Sequence, residues 1–381
     1  MIYLDHAATS PVRRETLQAM WPYLTAHFGN PSSHHTLGEA AATGLADARR
    51  RIATVLGARA GDLVFTAGGT EADNLAIKGI SLGDPRGRHL ITTPLEHPAV
   101  LESVEYLARV HGFEVDYLHP DAQGLVSHSQ LAQLLRADTT LVSVHYANNE
   151  IGTIQPIREL AAVAHQAGVP FHSDAVQAAG WLPLDVKELG VDALSISGHK
   201  FGTPKGIGLL WVRGRIPLEP LLHGGGQERG RRSGTENVAG VVALASAVEL
   251  AEAERTGLVP RIVQLRDHFI AQVLAKVRGA QLSGHPSLRL PASASFVIEG
   301  VSGEGVLLEL ERRGVICSSG SACAAGSDDP SPVLLTIGIP GPLAQSALRF
   351  TLGPTTTLAE IDQAAAAVVE SVGVLRQLQP R

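Results

Sequence analysis

From about residue 60 to 212, short apolar runs alternate with stretches of helical pattern. The runs Asp62–Thr66, His89–Thr93, Glu114–Leu118, Thr140–Tyr146, Pro170–Asp174, Val191–Ile196 and Ile207–Val212 read as strands. Glu71–Ile80, Ala99–His111, Ser129–Arg136 and Ile157–Ala167 read as helices between them. This alternation predicts an α/β fold with a mainly parallel sheet covered on both faces. Ligands bind such sheets beyond the carboxyl ends of the strands. A polar, glycine-rich segment follows, HGGGQERGRRSGTEN at 223–237. It leads into two alanine-rich helical stretches, expected to break near Gly257 and Pro260. The remainder, from about 258, mixes strands and helices and predicts a second, smaller α+β domain.

The 381 residues suffice for two domains and a large core. A formal charge of −6 leaves no basic footprint for nucleic acid. The N-terminal MIYLDHAATSP has neither the basic region nor the apolar run of a signal peptide, and no segment is apolar enough to span a membrane. Two cysteines, Cys317 and Cys323, are too few for a disulfide framework, so a reducing, cytoplasmic location is expected.

Chemistry enters at residues 195–200, Ser-Ile-Ser-Gly-His-Lys. The apolar strand runs into a Ser-Gly-His turn, and Lys200 sits at its mouth. A second apolar segment, from Pro170, ends on Asp174. A lysine and an aspartate at neighbouring strand ends suit pyridoxal 5'-phosphate. The lysine anchors its aldehyde covalently, and the aspartate pairs with its protonated pyridine nitrogen. Only five lysines compete, Lys78, Lys187, Lys200, Lys205 and Lys276. Lys205, past a proline turn in FGTPKG, is the serious rival and is expected further from the strand mouth. The competing role for Asp174 is N-cap of a helix over AVQAAG. Gln177, one helical turn on, could reach the cofactor's phenolic oxygen.

FTAGGTEADN at 65–74 reads as strand, glycine turn and helix start. Gly68 and Gly69 let backbone approach a ligand closely, Thr70 stands at or near the N-cap, and the helix N-terminus favours a phosphate. The dipole contributes about 0.3–1 kcal/mol, so Ser197 and His199 are candidate further donors. Alone, the motif is more simply a capped helix. LEHPAV places His97 at a strand–helix junction, either against the cofactor ring or in a structural role. NNEIG places Asn148, Asn149 and Glu150 at another strand end, as carboxylate ligands or a polar turn. Arg231, Arg232 and Thr235 form either an anion site reaching a neighbouring subunit or a solvated loop. Arg349, in the apolar run LRFTLGP, needs an acid partner, whether a substrate carboxylate or an internal Asp or Glu. Cys317 reads as a buried hydrophobe. Cys323 lies in a small-residue loop, as a reactive thiol or an inert surface one. The spacing of the two does not suit a zinc site.

Taken in order, YLDHAATSP, FGNPSSHH, GGTEADNLAIKG, EHPAV, NNEIG, SDAVQ, SISGHK, HGGGQERGRRSGTEN, SSGSAC and RFTLG resemble the motifs of the cysteine desulfurases, the class V branch of the fold-type I pyridoxal phosphate enzymes. The resemblance covers nearly the whole chain, and SSGSAC separates desulfurases from related aminotransferases and epimerases. It implies an aspartate-aminotransferase-like fold with a seven-stranded sheet. It also implies a large domain over 14–257 and a small domain formed by 1–13 with 258–381.

The resemblance carries roles as well. Lys200 is the covalent anchor, Asp174 pairs with the pyridine nitrogen, and Gln177 meets the phenolic oxygen. His97 stacks on the ring and acts as acid or base. Gly69, Thr70, Ser197 and His199 hold the phosphate, with Thr235 supplied by the partner of a homodimer. Asn149 contacts cofactor and substrate, and Arg349 binds the substrate carboxylate. Cys323 is the sulfur-accepting nucleophile and a transient ligand of an iron–sulfur cluster. Ala67 where serine is common, FGTPKG for YGPKG, and Pro354 depart from the pattern without removing a catalytic group. The implied activity converts L-cysteine to L-alanine and leaves a persulfide on Cys323 for an iron–sulfur scaffold protein or another sulfur acceptor. A selenocysteine lyase or other β-lyase is the nearer alternative. A cofactor-less protein that binds sulfur-transfer partners is the alternative of another class.

Overall fold

The computed structural model describes residues 1–319 and 329–378, so Cys323 lies outside the described residues. Its centre is a seven-stranded sheet. The order across it is Leu63–Thr66, Gly208–Val212, Ala193–Ser197, Phe171–Asp174, Thr139–Ser143, His89–Thr92 and Glu114–Tyr117. Gly208–Val212 runs antiparallel to both neighbours, and the remaining pairings are parallel. All seven expected strands are present, in the expected mainly parallel arrangement.

Alternate side chains leave each strand on opposite faces. Leu63, Phe65, Ile91 and Val142 join the core on one face, and Val64, Leu90 and Leu141 join the core on the other. Six strands are buried along their whole length, and only the edge strand Glu114–Tyr117 is not. Strands covered on both faces need continuous apolar runs, which is why these segments are conspicuous in the sequence.

At the opposite edge, side chains from helix Thr36–Val55 and from the segment 223–237 satisfy backbone groups of residues 61–65. Arg49 Nη1 donates to Leu63 O at 2.8 Å, Arg231 Nη2 donates to Gly61 O at 2.7 Å, and Phe65 N donates to Glu228 Oε2 at 3.2 Å. Glu228 also pairs with Arg49 at 2.5 Å. The segment 223–237 is thereby fastened to the sheet edge. Glu228 and Arg229 have φ of 48° and 61°, the positive-φ non-glycine residues among those described.

A second core lies under a four-stranded antiparallel sheet of Ser318–Ser319, Leu348–Thr351, Ser293–Ile298 and Ala280–Leu282. Phe269, Phe296 and Phe350 pack edge-to-face at its centre. Ile2–Tyr3 pairs in parallel with Val315–Ile316, which brings the start of the chain into this layer. The expected break at Gly257 and Pro260 is absent. One helix, Val238–Lys276, runs 39 residues through both. Its first half packs in the core of the large sheet and its second half in the smaller core. Proline costs a helix interior about 3 kcal/mol through a lost hydrogen bond and a ring clash. Here Thr256, whose carbonyl loses its partner, is exposed to water, and burial on either side offsets the rest. Helices Arg14–Thr25 and Thr36–Val55, not foreseen from the pattern, lie against its first half. Among the described residues no helix is long and apolar enough to cross a membrane.

Candidate active site

A cavity of about 850 Å³ opens beyond the carboxyl ends of the parallel strands. Lys200, Asp174, Gln177, His97, Asn149, Gly69, Thr70, Ser197, His199 and Arg349 all line it. Thr235 does not, and it is exposed.

Strand register sets the central pair. Asp174 ends Phe171–Asp174 and lies opposite Ser195, and Lys200 closes the single turn that follows Ala193–Ser197. Lys200 Nζ donates to Ala7 O at 2.6 Å and to Ala8 O at 3.0 Å. Lys205 lines the same cavity but is exposed, whereas Lys200 is half-buried. Asp174 is 8% exposed, and its Oδ1 accepts from Val176 N at 2.8 Å. The AVQAAG segment is a series of turns rather than a helix, ended by Gly180 at φ 83°. Asp174 therefore caps a turn, not a helix. Gln177 Nε2 donates to Ala7 O at 3.1 Å.

The helix start is closely packed in the wall. Gly68 is its N-cap, and Gly69 and Thr70 are its first residues, so Thr70 lies inside the helix. A Cβ on Gly69 would stand 2.8 Å from Val176 Cγ2 and 3.2 Å from Ser197 Cβ. Glycine thus lets the helix N-terminus approach Ser197. Glu71 Oε2 accepts from Ala67 N at 2.7 Å, and Glu71 pairs with Arg232 at 2.8 Å. His199 is pulled down to about 4 by burial and by the charges of Lys200 and Lys205, which keeps it neutral. His97 caps Pro98–His111, with Nδ1 accepting from Ala99 N at 3.1 Å. That bond places the neutral ring's proton on Nε2. Burial lowers its pKa.

Asn148 is structural, with Nδ2 on Leu95 O and Oδ1 on Glu150 N and Ile151 N. Asn149 faces the cavity, and its carbonyl accepts from Arg349 Nη1 at 3.1 Å. Arg349, 2% exposed, also donates from Nη2 to Asp5 Oδ1 at 2.9 Å. Its acid partner is therefore internal, although it reaches the cavity wall. Cys317 packs against the smaller core but is only partly buried, less than its apolar setting in the sequence suggested, and desolvation there pushes its thiol pKa up.

Sequence reasoning passed over a layer of buried polar groups beneath Asp174. Asp73 lines the cavity floor, with its carboxyl held well above the usual range by burial and by Asp174. His172 bridges Ser143 Oγ and Ser195 Oγ at 2.9 Å each, and burial lowers it to about 3. Glu96 accepts from His145 N at 2.7 Å and meets its Nδ1 at 3.0 Å. The one available signal was a charge within an otherwise apolar stretch, as at Asp73 in ADNLAI.

The donor set fits pyridoxal phosphate. An amine and a buried carboxylate lie at adjacent strand ends. Hydroxyls and a helix start crowd where only glycine fits, a phosphate-binding arrangement. Among the described residues no cluster of three or more metal-ligating side chains exists.

Residues 2–364 match the family described as aminotransferase class-V. The chain is 45% identical over 380 residues to a cysteine desulfurase IscS of Dictyoglomus turgidum, covering 100% of this chain and 96% of that protein. It is 45% identical to a cysteine desulfurase IscS of Methanosarcina thermophila, covering 100% and 94%. A solved NifS-like protein superposes with a TM-score of 0.92 at 35% identity, covering 98% of this chain and 100% of that one. This chain belongs to the class-V aminotransferase family, within its cysteine desulfurase group.

Proposed function

We infer that this protein is a pyridoxal phosphate-dependent cysteine desulfurase, converting L-cysteine to L-alanine with transfer of the sulfur to Cys323. One observation carries the reading: a strand-end lysine, a strand-end aspartate and a buried arginine open into a single cavity of a chain matched along its length to desulfurases. When bound, pyridoxal phosphate supplies an electron sink for charge left at the substrate α-carbon.

The chain's own residues do the rest. Lys200 Nζ would anchor the cofactor and, once released, carry the α-proton. Asp174 would keep the pyridine nitrogen protonated, and Gln177 would meet the phenolic oxygen. Gly69, Thr70, Ser197 and His199 would hold the phosphate, with neutral His199 as a donor. His97 would lie against the ring, with its Nε2 proton available for transfer. Asn149 and Arg349 bind the substrate carboxylate. The Cβ–S bond of cysteine breaks, an S–S bond to Cys323 Sγ forms, and a proton passes to Cβ. Alanine and a persulfide are the products. Sulfur is soft, and a thiolate is the nucleophile suited to it.

The protein acts as a homodimer in which Thr235 completes the partner's phosphate site. Its exposed position, away from its own cavity, supports this. Residues 14–257 form the large domain, and 1–13 with 258–381 the small one. In the cytoplasm, the persulfide passes to an iron–sulfur scaffold protein or another acceptor, with Cys323 as a transient cluster ligand. Incubation with cysteine is expected to add one sulfur, by mass, to the Cys323 peptide. A Cys323→Ser protein that still releases alanine and sulfide at the normal rate contradicts the reading.

A further inference from the structure

We propose that Asp5 is the resident counter-ion of Arg349 and limits how tightly the substrate carboxylate is held. The inference rests on the reading of Arg349 as the carboxylate receptor.

Arg349 sits in Leu348–Thr351, and its guanidinium is buried. A buried cation without an anion is strongly destabilising. Asp5 supplies that anion at 2.9 Å, and Asn149 O takes a second donor at 3.1 Å. Nε is buried and, among the described residues, has no hydrogen-bond partner. The guanidinium has five N–H donors, so capacity for another carboxylate remains. Glu150, another acid near this cation, has its Oε2 engaged by Ser331 Oγ at 2.5 Å.

Bonds between its neighbours' backbone and Thr351 deliver Asp5 to this place independently of its charge. Thr351 N donates to Leu4 O at 2.7 Å, His6 N donates to Thr351 O at 3.3 Å, and Ala7 N donates to Thr351 Oγ1 at 2.8 Å. An incoming carboxylate thus becomes a second anion on one guanidinium, and like charges oppose each other. The arrangement keeps the empty site stable and lets the carboxylate of the product leave.

Asp5→Asn keeps the shape and an oxygen that accepts from Nη2, and removes only the charge. Titration of the holoenzyme with L-alanine, read by cofactor absorbance, is expected to show about tenfold tighter binding, the scale of one like charge nearby. KM for cysteine is expected to fall similarly, and KM for cysteamine, which lacks the carboxylate, to stay unchanged. Alanine is expected to raise the melting temperature of the variant more than that of the wild type. Asp5→Ser, smaller and neutral, carries the same expectation and serves if Asp5→Asn folds poorly. Equal or weaker alanine binding in both variants overturns the proposal. Arg349→Gln separates the two levels. If it leaves alanine binding intact, the carboxylate reading fails. If it weakens binding while neutral residues at position 5 change nothing, only the counter-ion role fails.

Discussion

Gly69→Ala tests the phosphate wall with one methyl group. Its Cβ would stand 2.8 Å from Val176 Cγ2 and 3.2 Å from Ser197 Cβ. Carbon atoms rest at about 3.5–4.0 Å, so these contacts are roughly 0.7–1.2 Å and 0.3–0.8 Å too short. Ser197 ends a buried strand, and Val176 is β-branched and stiff at χ1, so neither yields readily. The backbone at 69 is helical, so alanine regains up to ~1 kcal/mol of propensity against roughly 1–3 kcal/mol for overpacking. Stability therefore changes little, by about 0–2 kcal/mol. Binding does not share this cancellation, because the helix start must withdraw from Ser197. Misplacement on this scale is expected to raise the dissociation constant for pyridoxal phosphate at least ~10-fold. Absorbance titration of the apoprotein measures that constant, while its melting temperature should move by only a few degrees. Adding Val176→Ala removes the 2.8 Å contact and should restore most of the affinity, with a double-mutant cycle apportioning the coupling. Wild-type cofactor affinity in Gly69→Ala would refute the reasoning.

Borohydride reduction of the holoprotein should fix the cofactor on the Lys200 peptide. Lys200→Ala should abolish that label and Lys205→Ala should keep it, read by peptide mass, and the opposite pattern would reassign the anchor. Glu228→Ala should cost about 3–5 kcal/mol in urea unfolding, because it strands the largely buried Arg49 and an edge-strand amide. A loss under 1 kcal/mol would mean water replaces the carboxylate. Burial holds the Glu150 carboxyl up at about 7, against 4.5 for an unhindered glutamate. The folded state then binds the extra proton between those values, so stability falls as pH rises from 4.5 to 7, by roughly 3 kcal/mol. Glu150→Gln should remove that slope from denaturant melts at pH 5 and pH 8, and parallel slopes in the two proteins would disprove it.

Six of the seven strands were legible because burial on both faces forces continuous apolar runs, whereas the exposed edge strand Glu114–Tyr117 shows no such run. Asp174 stood out as a polar residue ending such a run, and Lys200 as the lysine closing the turn after another. The long helix was misread because propensity is local, whereas the exposure of Thr256 and packing at both ends are tertiary. The partner of Arg349 was invisible for the same reason: Asp5 lies 344 residues away in sequence. Asp73, Glu96 and His145 carry no motif, and only strand register and helix packing assemble them beneath Asp174.

The contacts of residues 5–10 bear on biosynthesis. Ala7 and Ala8 receive the amine of Lys200, yet the bond from Ala7 N to Thr351 spans 344 positions. Chains fold from the N-terminus as they emerge at ~5–20 residues per second, so this stretch leaves the ribosome many seconds before its partner strand exists. The large sheet can form during that interval, but the seat for the lysine amine cannot. Assembly of that seat is thus a late event, and chains that stop short of Thr351 are expected to lack it.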